Sequence, residues 1–344
     1  MKILIANDGM HAHFFERVGW MNAFIRSGIQ CVMYNCKTIS AFDVFDEYEP
    51  DIFIGQLYNL DSSTIKCLAE RPHVKTAFRA GDYSNIPELM NDPNILKTTN
   101  EDLQKLDSLL KVANEPKFIY THYTQQDINY THELFVKNYG LTLVGIPMSA
   151  DIEVYHDGKY DPSLECDIGF VGGYWPYKGQ VIDKYLTPLC KDYEYSIKIF
   201  GNQPWPHVNQ YCGYIEDYKV KDLFASAKIC PNLSEPHSQK YGIDVNERAF
   251  KILSSGGFCI MDSVAAAKNM FGKDVVFAES PMHFEALIKH FRKDPVHRKE
   301  MQIRGYDMSM RQHTNYHRAA LIAKSFKEEE AVNQIITTLL NKRK

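Results

Sequence analysis

The sequence predicts an α/β protein built from two doubly wound domains. Short apolar runs alternate with amphipathic stretches, the alternation breaks near residues 146–166, and it then restarts. Buried strands alternating with helices imply a parallel sheet covered on both faces. A chain of 344 residues is comfortable for two such cores.

The first strand is "KILIA" (2–6), followed by the loop "NDGMH". Phe14, Val18, Met21 and Ile25 then recur at helical spacing, and Gly28 closes that helix. "QCVMY", "DIFIG", "VKTAF" (74–78), "KFIYT" (117–121) and "LTLVG" (141–145) read as the remaining strands of the first series. The break, "IPMSADIEVYHDGKYDPSLEC", holds two prolines and no sustained period, so it reads as the connection between domains. "DIGFVGG" (167–173) opens the second series, continued by "YSIKIFG", "KICPN", "GFCIM" and "DVVF". Three helical pieces near 281–293, 295–311 and 315–342 follow. The expected domains are therefore 1–148, rejoined by a last helix at about 315–344, and 165–314. They are expected to face a cleft, with ligands beyond the carboxyl ends of the strands.

Composition narrows the function classes. With 39 Lys and Arg against 43 Asp and Glu, the formal net charge is -4, which weighs against a general nucleic-acid binder. The eight cysteines form no C-x-x-C pair and several sit in apolar runs, as buried thiols of a reducing compartment do. "MKILIA" is too short for a signal peptide and no stretch reaches membrane-spanning length. A cytoplasmic protein with no membrane span is expected.

Charge crowds one helix mouth, in "YGIDVNERAFKILSSGGFCIMD" (241–262). Asp244 reads as an N-cap, and Glu247 three residues later as the other half of a capping box. Capping does not account for Asn246 and Arg248. An arginine in a first helical turn opposes the helix dipole unless an anion is present, so the two read as a phosphate or ribose clamp. The alternative is a surface arginine paired with Glu247 or Asp244. In "FVGGYWPYKGQ" (170–180), Gly172 and Gly173 end a strand and allow close backbone approach, while Lys178 brings charge to a helix start. Neither a P-loop nor a G-x-G-x-x-G motif is present.

"VGGYWPYKG" is similar to the V-G-R-…-K-G loop of group-1, GT-B-fold glycosyltransferases, and "NERAFKILSSGGFCIMD" resembles their donor-binding helix and strand. The likeness is nearest to the spore-maturation-protein (CgeB-like) branch, where R-x-F-E-x-x-A-x-G leads into a strand ending in Asp. It extends to "GIPMSADIEVYHD", "DIGFVGG" and "HTNYHRA". The resemblance implies two Rossmann-like domains and a nucleotide-sugar donor, such as a UDP-sugar, held mainly by the second. It places Lys178 at the donor diphosphate beside Gly172 and Gly173, Arg248 near it, and Tyr214 and Ile215 at the base. Lys251 departs from the family, standing where a glutamate binds ribose, and Ile243 replaces the earlier of two glutamates eight apart. Either Glu247 takes the ribose contact, or the donor differs, or Lys251 faces solvent.

Acceptor-side candidates follow the early strands. In "NDGMHAHF" (7–14), Gly9 allows a tight turn, and His11 and His13 are acid/base groups, acceptor contacts or plain loop histidines. Asp82 in "RAGDYSN" binds or deprotonates a hydroxyl, or simply serves a turn, and His122 in "YTHYTQ" is a third candidate. His313 and His317 are four apart and would share a helical face, but no third metal ligand accompanies them, so a structural role is expected. No D-x-D pair is present. No obligatory metal and no cofactor are therefore expected, and the donor charge falls to Lys178, Arg248 and helix dipoles. The expected function is sugar transfer from a nucleotide diphosphate to a hydroxyl of a glycan, a small molecule or modified DNA. The alternatives are a glycosyltransferase dedicated to modified DNA bases and a non-catalytic nucleotide-sugar binding module.

Overall fold

A computed structural model describes residues 1–9, 12–81, 93–192, 194–206 and 208–343. The chain divides into two compact units, Met1–Pro147 with Asn315–Lys344, and Met148–Thr314.

The first unit alternates β1 (Lys2–Asn7), α1 (Ala12–Arg26), β2 (Gln30–Asn35), α2 (Ala41–Tyr48), β3 (Ile52–Gln56), α3 (Ser62–Ala69), β4 (Lys75–Arg79), α4 (Pro93–Leu110), β5 (Phe118–Thr121), α5 (Gln125–Thr131), α6 (Glu133–Tyr139) and β6 (Leu143–Gly145). Its sheet runs β2-β1-β3-β4-β5-β6 with every pairing parallel. Ile3, Leu4, Ile5, Ile54, Ala77, Phe78 and Ile119 are buried, as strands covered on both faces require. The order reverses between β1 and β3, which opens a crevice at their carboxyl ends.

The face that α1 buries is not the one its apolar period marks. Ile25 is 49% exposed, whereas Glu16, Arg17, Trp20, Ala23 and Phe24 are buried. An arginine and a glutamate thus take positions that a hydrophobic pattern would reserve for leucines.

The terminal segment belongs to this first unit and forms two helices, α15 (Asn315–Ser325) and α16 (Glu329–Lys342), where the sequence suggested one. Lys327 adopts φ of 62° and the Glu328 N–H returns to the Ala323 carbonyl, a left-handed cap that ends α15. Asn315 Nδ2 donates to the Gly19 carbonyl at 2.9 Å, and Phe326 packs on Phe118 with ring centroids 4.9 Å apart.

The second unit contains β7 (Cys166–Val171), α7 (Pro176–Tyr185), α8 (Thr187–Cys190), β8 (Ile197–Phe200), α9 (Asp217–Ser226), β9 (Ala227–Asn232), α10 (Pro236–Tyr241), α11 (Glu247–Ser254), β10 (Cys259–Asp262), α12 (Ala265–Phe271), β11 (Val276–Ala278), α13 (Pro281–Lys293) and α14 (Pro295–Gln312). Its parallel sheet runs β11-β10-β9-β7-β8 over a core that includes Ile168, Phe170, Ile199, Ile229, Ile260, Phe284, Ile288 and Phe291. Here the order reverses between β7 and β9. Their pairing extends to Ile168↔Ile229, so Pro231, which has no N–H to donate, lies beyond the last shared rung. Cys31, Cys67, Cys166, Cys190, Cys230 and Cys259 are buried free thiols, Cys36 is half-buried and Cys212 is exposed. Among the described residues no helix is long and apolar enough to cross a membrane.

Candidate functional site

Arg248 occupies the switch-point crevice of the second unit. It lies in the first turn of α11, its Nε donates to the Val171 carbonyl at the end of β7 at 2.6 Å, and Nη1 reaches the Leu233 carbonyl just past β9 at 3.5 Å. Its guanidinium lies 4.3 Å above the Phe170 ring. A Cβ on Gly172 would sit 2.9 Å from Arg248 Nη2, and one on Gly201 would meet the Gly172 carbonyl at 2.5 Å. Glycines are therefore needed here for close approach. Burial is the main influence on the Arg248 guanidinium and lowers its pKa to about 10. A half-buried cation at a crevice suits an incoming anion.

Polar groups around it lack partners. Asn232, at the end of β9, is fully buried, and neither its Oδ1 nor its Nδ2 has a hydrogen-bond partner among the described residues. Asn246 Nδ2 donates to the Leu233 carbonyl at 3.1 Å while its Oδ1 is buried and unpartnered. Native structures keep few such groups, so these mark a place for a ligand or water.

The capping box does not form. Helix α11 begins at Glu247 with Asn246 as its N-cap, so Glu247 is the first helical residue rather than the third. Asp244 takes φ of 70°, and its Oδ2 lies 3.7 Å from His237 Nε2. Glu247 and Lys251 instead pair with each other at 3.0 Å, each side chain 13% exposed, with Lys251 Nζ 4.4 Å over the Tyr155 ring. Burial raises the Glu247 pKa, and the Lys251 charge only partly offsets it.

Lys178 lies in the first turn of α7, behind Pro176. Its ammonium meets Glu235 Oε1 at 2.9 Å and lies 5.4 Å over the Trp175 ring. Glu235 precedes α10 and makes no cap hydrogen bond of its own. Gly173 lies under Trp175, and Trp205 Nε1 donates to the Gly172 carbonyl at 2.9 Å, which fixes the loop. Tyr214 is 65% exposed, and Ile215 beside it is buried. Asp262 ends β10 fully buried, accepting from Ser234 N and Oγ and from Gln239 Nε2; burial raises its pKa against those bonds.

The first unit holds a second polar cluster, at its own switch point. Arg17 Nη1 donates to Asn7 Oδ1 at 3.0 Å and lies 3.4 Å from Asp8 Oδ1, beyond β1. Tyr58 Oη accepts from Arg17 at 3.4 Å and from Arg79, at the end of β4, at 3.2 Å. Arg79 Nη2 meets His122 Nδ1 at 3.2 Å, and the His122 and His13 rings are 5.0 Å apart. His13 Nδ1 lies 3.6 Å from Glu16 Oε2, and Gly9 takes φ of 141°, which favours glycine. His13, His122 and Gly9 thus share one cluster, while His11 and Asp82 fall outside the described residues.

His313 and His317 do not share a helical face. His313 caps the end of α14 and packs between the Phe250 and Phe271 rings, whereas His317 lies in α15 with Nε2 3.2 Å from Arg343. Sequence reasoning missed Arg17, Arg79, Tyr58, Asn232 and Glu235. Only Arg79 and Asn232 carried a usable signal, each standing at the end of a strand-like run.

Residues 183–324 match a family model described as glycosyl transferase-like. That span covers the end of α7, all of α8 to α14 and most of α15, but not the Lys178 loop. No curated protein matches the chain by sequence. Among solved structures, T4 phage beta-glucosyltransferase is 14% identical, with a TM-score of 0.56 covering 96% of this chain and 99% of that one. Sucrose-phosphate synthase from Thermosynechococcus elongatus is 9% identical, with a TM-score of 0.63 over 96% and 99%. An alpha-glucosyltransferase in complex with UDP-glucose and DNA containing an abasic site is 14% identical, with a TM-score of 0.63 over 96% and 98%. The fold is that of the GT-B glycosyltransferases.

Proposed function

We propose that the protein is a nucleotide-sugar-dependent glycosyltransferase, of the spore-maturation branch, that moves a sugar from a nucleoside diphosphate to an acceptor hydroxyl. The observation that carries this reading is Arg248, a half-buried guanidinium with a lowered pKa at the switch point of a sheet, beside the unpartnered amide of Asn232. The family match and the UDP-glucose bound by a structural neighbour support it. UDP is the first nucleotide to test.

In this reading the second unit holds the donor. Arg248 and Lys178 receive the diphosphate against the Gly172–Gly173 loop, and they stabilise the negative charge that grows on the leaving phosphate as the glycosidic bond breaks. Tyr214 and Ile215 border the base, and Asn246 and Glu247 are the ribose candidates. The first unit carries the acceptor. His13 takes the proton of the attacking hydroxyl, and Glu16 at 3.6 Å stabilises the imidazolium that results. Asp82 and His11 remain the rival bases; Gly9 and His122 shape the acceptor loop. Charge neutralisation by Arg248 and Lys178 makes transfer independent of metal and cofactor, so chelation with EDTA leaves the rate unchanged. The enzyme works in the cytoplasm, where its thiols stay reduced.

Calorimetry with UDP, GDP, ADP and dTDP tests the reading. Binding of one nucleotide with turnover of its sugar supports it, binding without turnover points to a non-catalytic module, and no binding refutes both. A second reading, transfer to modified DNA bases, is favoured by the DNA-bound alpha-glucosyltransferase among the neighbours. A salt-sensitive shift of modified duplex DNA distinguishes it from a glycan or small-molecule acceptor.

A further inference from the structure

At the corner between α13 and α14, His290, Asp294 and His297 converge, and their candidate ligand atoms all lie within 4.8 Å of one another. We infer that this corner is a binding site for a zinc-class divalent ion, held by two imidazoles and one carboxylate. The spacing follows from the fold. His290 lies in the last turn of α13, Asp294 both ends α13 and caps α14, and His297 lies in the first turn of α14.

The surroundings hold the three groups in place. Asp294 Oδ1 accepts the His297 N–H at 3.0 Å, which leaves its other oxygen for a ligand. The His290 and His297 rings flank Phe291 with centroids at 4.8 and 4.9 Å, and lie 5.8 Å from each other. Phe291 is a core residue, so the rings rest on a fixed platform. The Arg298 guanidinium bonds to the Phe291 carbonyl across the same turn, interacts with the Asp294 charge, and opposes a metal there. The carbonyl end of α13 favours a cation and the amino end of α14 opposes one, so the dipoles offset and the three ligands must supply the attraction.

The donor set decides the metal class. Two nitrogens and a carboxylate oxygen suit Zn²⁺ and its first-row neighbours, whereas Mg²⁺ and Ca²⁺ take oxygen ligands. Tetrahedral zinc with bonds of about 2.1 Å sets its ligand atoms about 3.4 Å apart, so small rotamer changes close the site. His290 is exposed and free to make that change. Water completes the shell.

The site is distinct from the donor crevice. Helix α13 returns from the carboxyl end of β11 to the amino end of the sheet, where Arg292 Nε lies 3.4 Å from Asp167, near the start of β7. The ion would join α13, which carries Phe284 and Ile288 into the core, to α14, whose Gly305 packs on Leu253 of α11. Its role is to fix that corner, and the transfer reaction does not pass through it.

The test is calorimetric titration of the full-length protein with zinc chloride under reducing conditions, with magnesium as control. One equivalent of zinc should bind and raise the melting temperature, while magnesium does neither. The doubly substituted His290→Ala, His297→Ala protein should lose at least about tenfold in affinity, as should Asp294→Asn, which keeps the cap but removes the charge. Absence of zinc binding, or unchanged binding by the double variant, overturns the assignment. In the second case the metal is taken by a thiol such as exposed Cys212.

Discussion

Arg248 is a structural tie, the proposed function makes it an anion site as well, and replacing it separates the two. Its pKa falls from 12.5 to about 10, which corresponds to about 3 kcal/mol held against the charged form by desolvation. Partial exposure reduces that figure, so an arriving diphosphate recovers about 1.5–3 kcal/mol, the usual range for a charge-assisted hydrogen bond. Arg248→Ala also removes the donors to the Val171 and Leu233 carbonyls and the stack on Phe170. Orphaned buried carbonyls and lost packing together cost about 2–4 kcal/mol of folding stability. Arg248→Lys keeps the charge but loses the planar fork, so it should fold with a smaller loss and still weaken UDP binding about tenfold. Urea denaturation of both variants, with UDP titration of Arg248→Lys, measures the two roles. An Arg248→Ala protein with a wild-type urea midpoint would show that the tie is not there. Wild-type UDP affinity in Arg248→Lys would remove the anion site.

Four further outcomes follow from the same geometry. Lys178→Ala should lower turnover about ten- to a hundredfold at unchanged folding stability; equal rates would make Lys178 a surface charge. Glu235→Gln removes the carboxylate that holds Lys178 at 2.9 Å, so UDP should bind several-fold more tightly; weaker binding would mean that Glu235 orients the lysine for the donor. His13→Asn should cut kcat by about a hundredfold or more with UDP affinity intact, and an unchanged kcat would pass the base role to another group. Glu247 has a raised pKa because of its burial, so its contribution is most favourable below the ordinary carboxylate range and is lost as pH rises through the raised value. Glu247→Gln should flatten that decline in a stability–pH series. A tenfold loss of donor affinity in the same variant, near 1.4 kcal/mol, would add a ribose contact.

The strands were legible because a parallel sheet covered on both faces demands continuous apolar runs, and "KILIA" or "DIFIG" satisfy that demand without knowledge of partners. The Gly172–Gly173 loop and the α11 mouth were legible as charge beside glycine. What escaped depends on distance in the chain. Lys178 meets Glu235 and Arg79 meets His122 only after the sheet assembles, so neither pairing leaves a local pattern. The buried face of α1 was misjudged because Arg17 is satisfied by Asn7, Asp8 and Tyr58, which makes a charged residue tolerable inside. The capping box failed for a local reason: Asp244 takes a left-handed conformation, so the helix starts two residues later than the motif suggests.

The return of α15 and α16 to the first unit has a consequence for biogenesis. During synthesis, residues 148–314 emerge as an uninterrupted segment and are able to collapse on their own, whereas the earlier unit waits. Until residues 315–344 leave the ribosome, Phe118 lacks Phe326, and the Gly19 carbonyl lacks its bond from Asn315. The amino-terminal half is therefore the one that nascent-chain chaperones would guard longest, and a premature stop near residue 314 would cripple the unit encoded first rather than the one just completed.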